Sequence, residues 1–209
     1  MPSDSFKIAV SCTNTAGQHG RNERDADVQP AVGTSLVDRM IGVVKLDIPT
    51  YESIERDRDA TTQALIVVAI VAIAGGIGAI RDDGVSGLIG GLVGAIVGWI
   101  VFSFVAYFVG TRLIPGENTA ATPGELLRTI GFAQTPGVLS VFGLLGVLGA
   151  PIVIAGGIWG IVTAIVGLKT ALEMSTGRAI ATGIIAAIAS VIIVAIIMLP
   201  FGLAAWAIA

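Results

Sequence analysis

Cysteine and histidine each occur once, at Cys12 and His19. A lone cysteine excludes an internal disulfide. With a single histidine beside it, no metal-ligating constellation can be assembled. Charge is scarce as well. Asp, Glu, Lys and Arg make up 13% of the 209 residues, where a soluble domain carries about a quarter. The net charge of −3 supplies no basic face and excludes a nucleic-acid partner. The apolar fraction is 54%, so the composition defines a membrane protein.

The few charges crowd into residues 1–61. The stretch "SCTNTAGQHGRNERDADVQPAVG" is polar and aperiodic, so residues 1–34 read as a disordered cytoplasmic tail. The apolar run "IAV" within it is too short for a signal-peptide core. Residues 35–61 read as amphipathic, interfacial cytoplasmic helices. Leu36, Val37, Met40, Ile41 and Val44 share one helical face, flanked by Asp38, Arg39 and Lys45. Ser35 followed by Asp38 resembles a capping box. Pro49 breaks the chain, and Thr50 caps a second short helix, "YESIERDRDA". In it Glu52 and Arg56 stand at the i,i+4 spacing of an ion pair.

Residues 62–209 read as an all-α membrane domain. A spanning helix takes about 20 mostly apolar residues. Five such stretches are expected, at 62–80, 86–109, 135–150, 151–169 and 179–199. The uncharged run from Pro136 to Leu168 would be about 50 Å long as one helix. "GAP" at 149–151 divides it into a hairpin whose first arm is short or re-entrant. Pro200 stops or kinks the last span, with Trp206 as an interfacial anchor. Five crossings put Lys45, Arg56, Arg58, Arg112, Arg128, Lys169 and Arg178 on one side and Arg81 on the other. The positive-inside rule then places the N-terminus in the cytoplasm and the C-terminus outside the cell membrane.

The segment "ELLRTIGFAQTPGVLS" (125–140) reads as an elbow between interface and bilayer. Leu126, Leu127 and Ile130 share a face, and Gly131 permits a bend. Thr135 caps the next helix, with Pro136 at its first position.

The expected spans carry no Asp, Glu, Lys, Arg or His in their bodies, and Lys169 marks an end of the fourth. Proton relays, ion pathways and intramembrane hydrolysis normally use such groups. The polar residues Ser103, Tyr107, Ser140, Thr163, Thr182 and Ser190 can be satisfied by their own helix backbones. Small residues recur every four, at Gly90, Gly94 and Gly98 and again at Gly156, Gly160 and Ala164. That spacing lets helices pack closely within the chain or between copies.

The order of these features resembles the Yip-one domain family of Ypt/Rab-interacting membrane proteins, most of all its bacterial and archaeal members. The likeness rests on "DRMIGVVKLDIPTYESIERD", "YFVGTRL", "LLRTIGFAQTPGVLSVFGLLGVLG" and "ALEMSTGRAI". Gly131–Phe132 with Pro136 is similar to the family's Gly–Tyr/Phe followed by Pro. The resemblance implies a cytoplasmic N-terminal region and five spans. The Asp-Leu-Tyr-Gly-Pro segment of eukaryotic members is replaced here by "KLDIPTYESI", so GTPase binding does not carry over.

Together these readings predict a non-enzymatic, cofactor-free protein that organises lipids or binds membrane or cytoplasmic partners at the cytoplasmic face. The candidate partner and elbow residues are Tyr51, Glu52, Glu55, Arg128, Gly131, Phe132 and Pro136. Gly90, Gly94, Gly98, Gly156 and Gly160 are the candidate packing or homo-oligomer contacts. The alternative is a small-molecule or ion permease, for which broken helices around a midplane site would be required.

Overall fold

The computed structural model describes residues 35–116, 119 and 121–208, with backbone only for 81–83, 85–87 and 201–208. The expected tail, residues 1–34, lies outside the described residues, as do the side chains of Arg81 and Trp206. No strand occurs among the described residues.

Two short helices precede the membrane part. Helix α1 (Leu36–Val44) is capped by Ser35, whose Oγ accepts the Asp38 N–H at 3.2 Å. Its inward face is rotated from the expected one. Arg39 and Val43 are buried, whereas Val37 and Ile41 face outward. Helix α2 (Ile48–Arg56) is capped by Asp47 and not by Thr50, and it takes Pro49 into its first turn. Thr50 instead donates its N–H (3.2 Å) and its hydroxyl (2.5 Å) to the Asp47 carboxylate. Proline costs nothing there, because a first-turn N–H has no helical partner.

Helix α3 (Ala60–Phe108) is two antiparallel spans joined at Gly84, where φ is 64° and ψ −168°. Gly76 on the first arm meets Leu88 on the second, which fixes the hairpin. Positive φ suits glycine at this turn, and the tight polar turn expected from "RDDG" sits there. The second arm ends in a π-helical turn, Val109–Leu113.

The third span departs from expectation. Helix α4 (Pro123–Ala133) runs through Gln134, which stays in right-handed helical geometry, into a 3₁₀ segment, Thr135–Leu148. Residues Pro123–Leu148 form one apolar stretch long enough to cross a bilayer. The cap of the whole stretch is Thr122, in a reciprocal capping box with Glu125, with Pro123 in its first turn, while Pro136 stands in the first turn of the 3₁₀ segment as expected. Thr135 does not cap; its hydroxyl donates to the Phe132 carbonyl at 2.6 Å. Gly131 is not a bend either. It lies inside α4, where an added Cβ would stand 2.7 Å from the Ala64 Cβ and 3.2 Å from the Trp99 Nε1. The charges at 125 and 128 had suggested an interfacial segment. One is consumed by the cap, and the other is folded against α2.

A turn with Gly146 at φ 59° leads to α5 (Ala150–Ala171), then α6 (Thr176–Ile208). Helix α6 continues through Pro200 and does not stop there. The "GAP" hairpin is thus formed, and its Gly149 is obligatory because any Cβ would collide with the Phe142 carbonyl.

The contacts give the packing order. Gly131, Gly137 and Gly143 meet Ala64, Val71 and Gly78 in turn, so spans one and three run parallel in direct backbone contact. Span four returns antiparallel: Thr163 Oγ1 donates to the Ala133 carbonyl at 2.6 Å, and Gly156 meets Pro136 and Leu139. The third span is therefore enclosed by the first hairpin and α5. The outer surface is apolar, as at Ile154, Ile188 and Val191, and suits lipid contact.

The glycine rows divide into two kinds. Gly156 lies against Leu139 and Pro136. An added Cβ at Gly90, Gly94, Gly98 or Gly160 meets nothing within 4 Å, which corrects their reading as intrachain contacts. Of the span polar groups, Thr163 is satisfied, but Ser103, Ser140 and Ser190 hold buried hydroxyls without hydrogen-bond partners among the described residues.

Candidate functional site

One end of the bundle gathers α1, α2, the start of α4 and the α5–α6 turn. Its footing is Tyr51, which is fully buried. The Tyr51 hydroxyl reaches the Thr163 carbonyl at 3.1 Å and the Val43 carbonyl at 3.3 Å, binding α2 to α5 and α1. Burial pushes its phenol well above the ordinary tyrosine range. Tyr51 is therefore an anchor with no surface to offer a partner.

Two buried arginines brace the same region. Arg39, 3% exposed, pairs with Asp57 at 2.6 Å and donates to Gln63 Oε1 at 2.9 Å. The hydrogen bond from Arg39 holds the Asp57 carboxyl below the usual carboxylate range. The sequence reading had placed Arg39 on the flank of α1. Its long side chain instead carries the guanidinium inward to α2 and α3, which i,i+3/i+4 spacing alone cannot reveal. Arg128 Nη2 donates to the Glu55 carbonyl at 2.5 Å, locking α4 onto α2. Both arginines leave a buried Nε without a partner among the described residues.

Above this base lies a groove of about 400 Å³ between α2 and the C-terminal end of α5. It is lined by Ile48, Glu52, Glu55, Arg56, Lys169, Thr170, Glu173 and Met174. Glu52 and Arg56 form the expected ion pair, at 2.9 Å. Burial, with Glu125 and Glu173 nearby, pushes the Glu55 carboxyl up to about 7. Lys169, Thr170, Glu173 and Met174 were not singled out from sequence as a groove, although the 169–178 loop was expected on this face. The loops are tied down as well. Thr119 donates to the Leu172 carbonyl at 2.9 Å, and Arg178 to the Pro115 carbonyl at 3.0 Å.

Of the seven candidate residues, the structure brings Glu52 and Glu55 to the groove. Tyr51 and Arg128 sit beneath it. Phe132 and Pro136 are buried in the span core, with Gly131 at the α3–α4 contact.

A second cavity, of about 720 Å³, opens between the spans. It is bordered by the second arm of α3, the third span, α5 and α6, and its lining is apolar except for Gln134. No cluster of His, Cys, Asp or Glu able to hold a metal occurs among the described residues.

Five apolar helices long enough to cross a bilayer, with a mixed-charge groove at one end, define a multi-pass α-helical membrane protein. Residues 46–199 match the Yip1 domain, and the chain belongs to the Yip1 domain family. No curated protein and no solved structure matches it.

Proposed function

We propose that this protein is a non-enzymatic membrane organiser whose groove between α2 and α5 receives a protein partner on the cytoplasmic side. The observation that carries this reading is the groove itself. It presents Glu52, Arg56, Lys169 and Glu173 on a base made rigid by Tyr51, Arg39 and Arg128. Polar groups held on an ordered scaffold recognise a partner at low entropic cost. The side is assigned from charge. The seven basic residues counted above belong to this end of the chain path, and Arg81 belongs to the other. The exposed Val37 and Ile41 of α1 fit contact with the membrane interface.

The test is site-specific photocrosslinking from position 170 in the native membrane. A recurrent protein adduct is expected, and it should be lost when Lys169→Glu and Glu52→Lys reverse the groove charges. An adduct indifferent to both reversals would remove the groove from the account. Accessibility of cysteines placed at positions 45 and 84 to an impermeant reagent reads the sidedness. Labelling of position 45 from outside the cell would overturn the orientation.

A further inference from the structure

The cavity between the spans is a different kind of space from the groove. Its volume of about 720 Å³ falls in the range of small-molecule sites, about 300–1,000 Å³. The open glycines help to make it: Gly98, Gly157 and Gly160 line it, and an added Cβ at each meets nothing within 4 Å. Gly156 and Gly183 also line it but touch neighbours. Small residues here create room and do not close it.

The lining has one polar side chain, Gln134, on the third span. Its carboxamide has no hydrogen-bond partner among the described residues, while the nearby Trp99 indole is satisfied by the Leu127 carbonyl at 3.0 Å. In hydrocarbon an unpaired amide is costly. An acyl chain gains little by leaving the bilayer for an equally apolar cavity. Selection must therefore come from Gln134. No ionisable residue lines the cavity, so a charged headgroup would find no counterion there.

We propose that this cavity holds one molecule of an uncharged lipid. Its apolar chain fills the glycine-lined space, and its single hydroxyl or carbonyl oxygen bonds the Gln134 carboxamide. The proposal rests on the spans alone and stands independently of the partner groove.

The experiment uses the full chain in phosphatidylcholine vesicles, with two photoreactive probes of equal length: diazirine-bearing hexadecanol and diazirine-bearing hexadecane. The alcohol should label peptides of the third span and α5 about fivefold more than the hydrocarbon, the size of an intramembrane hydrogen bond. Gln134→Leu, which adds little bulk, should bring the two probes level. Gly160→Leu should reduce alcohol labelling about tenfold by filling the space. Ile152→Phe, on the exposed side of α5 away from the cavity lining, should leave labelling unchanged. Thermal unfolding checks that each variant folds, and Ala164→Leu replaces Gly160→Leu if the latter does not. Equal labelling by the two probes in the unaltered protein would overturn the proposal. So would unchanged labelling on filling the cavity, or a cross-link between two copies through a cysteine at position 160.

Discussion

Gly131→Ala adds one methyl group at the closest approach of α4 to α3. That methyl would stand 2.7 Å from the Ala64 Cβ, 3.3 Å from the Ala64 Cα and 3.2 Å from the Trp99 Nε1. The Cα belongs to a rigid helix, and the indole is held by its bond to Leu127, so neither can give way cheaply. Overpacking of this kind costs about 1–3 kcal/mol. The helical preference of alanine over glycine returns at most about 1 kcal/mol. A net loss of about 1–2 kcal/mol is expected. Gly94→Ala meets nothing within 4 Å, so only the helical preference operates, and a gain of about 0.5–1 kcal/mol is expected. The assay is reversible unfolding in mixed micelles, followed by tryptophan fluorescence. Combining Gly131→Ala with Ala64→Gly should restore part of the loss, because one of the three contacts is removed. A Gly131→Ala protein as stable as the unaltered one would refute the reasoning. So would a double variant no better than the single.

Glu55 gives a pH dependence of definite sign. Its folded carboxyl titrates at about 7, above the ordinary 4.5, so the folded state keeps a proton that the unfolded chain releases. The contribution is full below about 4.5 and is lost as pH rises through about 7. Discounted for partial exposure, it is worth roughly 1–2 kcal/mol. Glu55→Gln should flatten the stability profile across that window, as melting temperatures at its two ends would register; an unchanged slope would assign it elsewhere. Asp57→Ala leaves Arg39 buried with only Gln63 and should cost about 2–3 kcal/mol by chemical unfolding. Tyr51→Phe removes the bond to the Thr163 carbonyl and should cost about 1 kcal/mol, with faster amide exchange in α2. Trp159→Phe frees the Val44 carbonyl, bonded at 2.8 Å, and should raise proteolysis within α1 while leaving the overall melting temperature nearly unchanged.

Much of the architecture was readable from hydropathy alone. Span one, the turn at Gly84, the hairpin at Gly149 and the α5 boundaries follow from apolar run length and glycine placement. The start of the third span was not readable. Charge in a linear sequence looks like water, and only the fold shows Glu125 folded back as a cap and Arg128 laid against a carbonyl. The candidate site was partly legible. Glu52 and Glu55 stood out by their position on a short polar helix. Arg39, Lys169 and Glu173 acquire their roles from neighbours distant in sequence. Glycine spacing was legible, but its meaning was not. The same four-residue interval places Gly156 against Pro136 and leaves Gly160 facing a void. Periodicity reports which residues share a helix face, and says nothing about what stands opposite.

The tight connections at Gly84 and Gly146–Gly149 lie at the end opposite α1 and α2. These turns are only a few residues long, whereas the near end holds two complete helices and two braced loops. Among the described residues, the helices and loops outside the spans therefore gather at one end. Communication across the bilayer would have to pass through the spans themselves, by their tilt, spacing or lipid content.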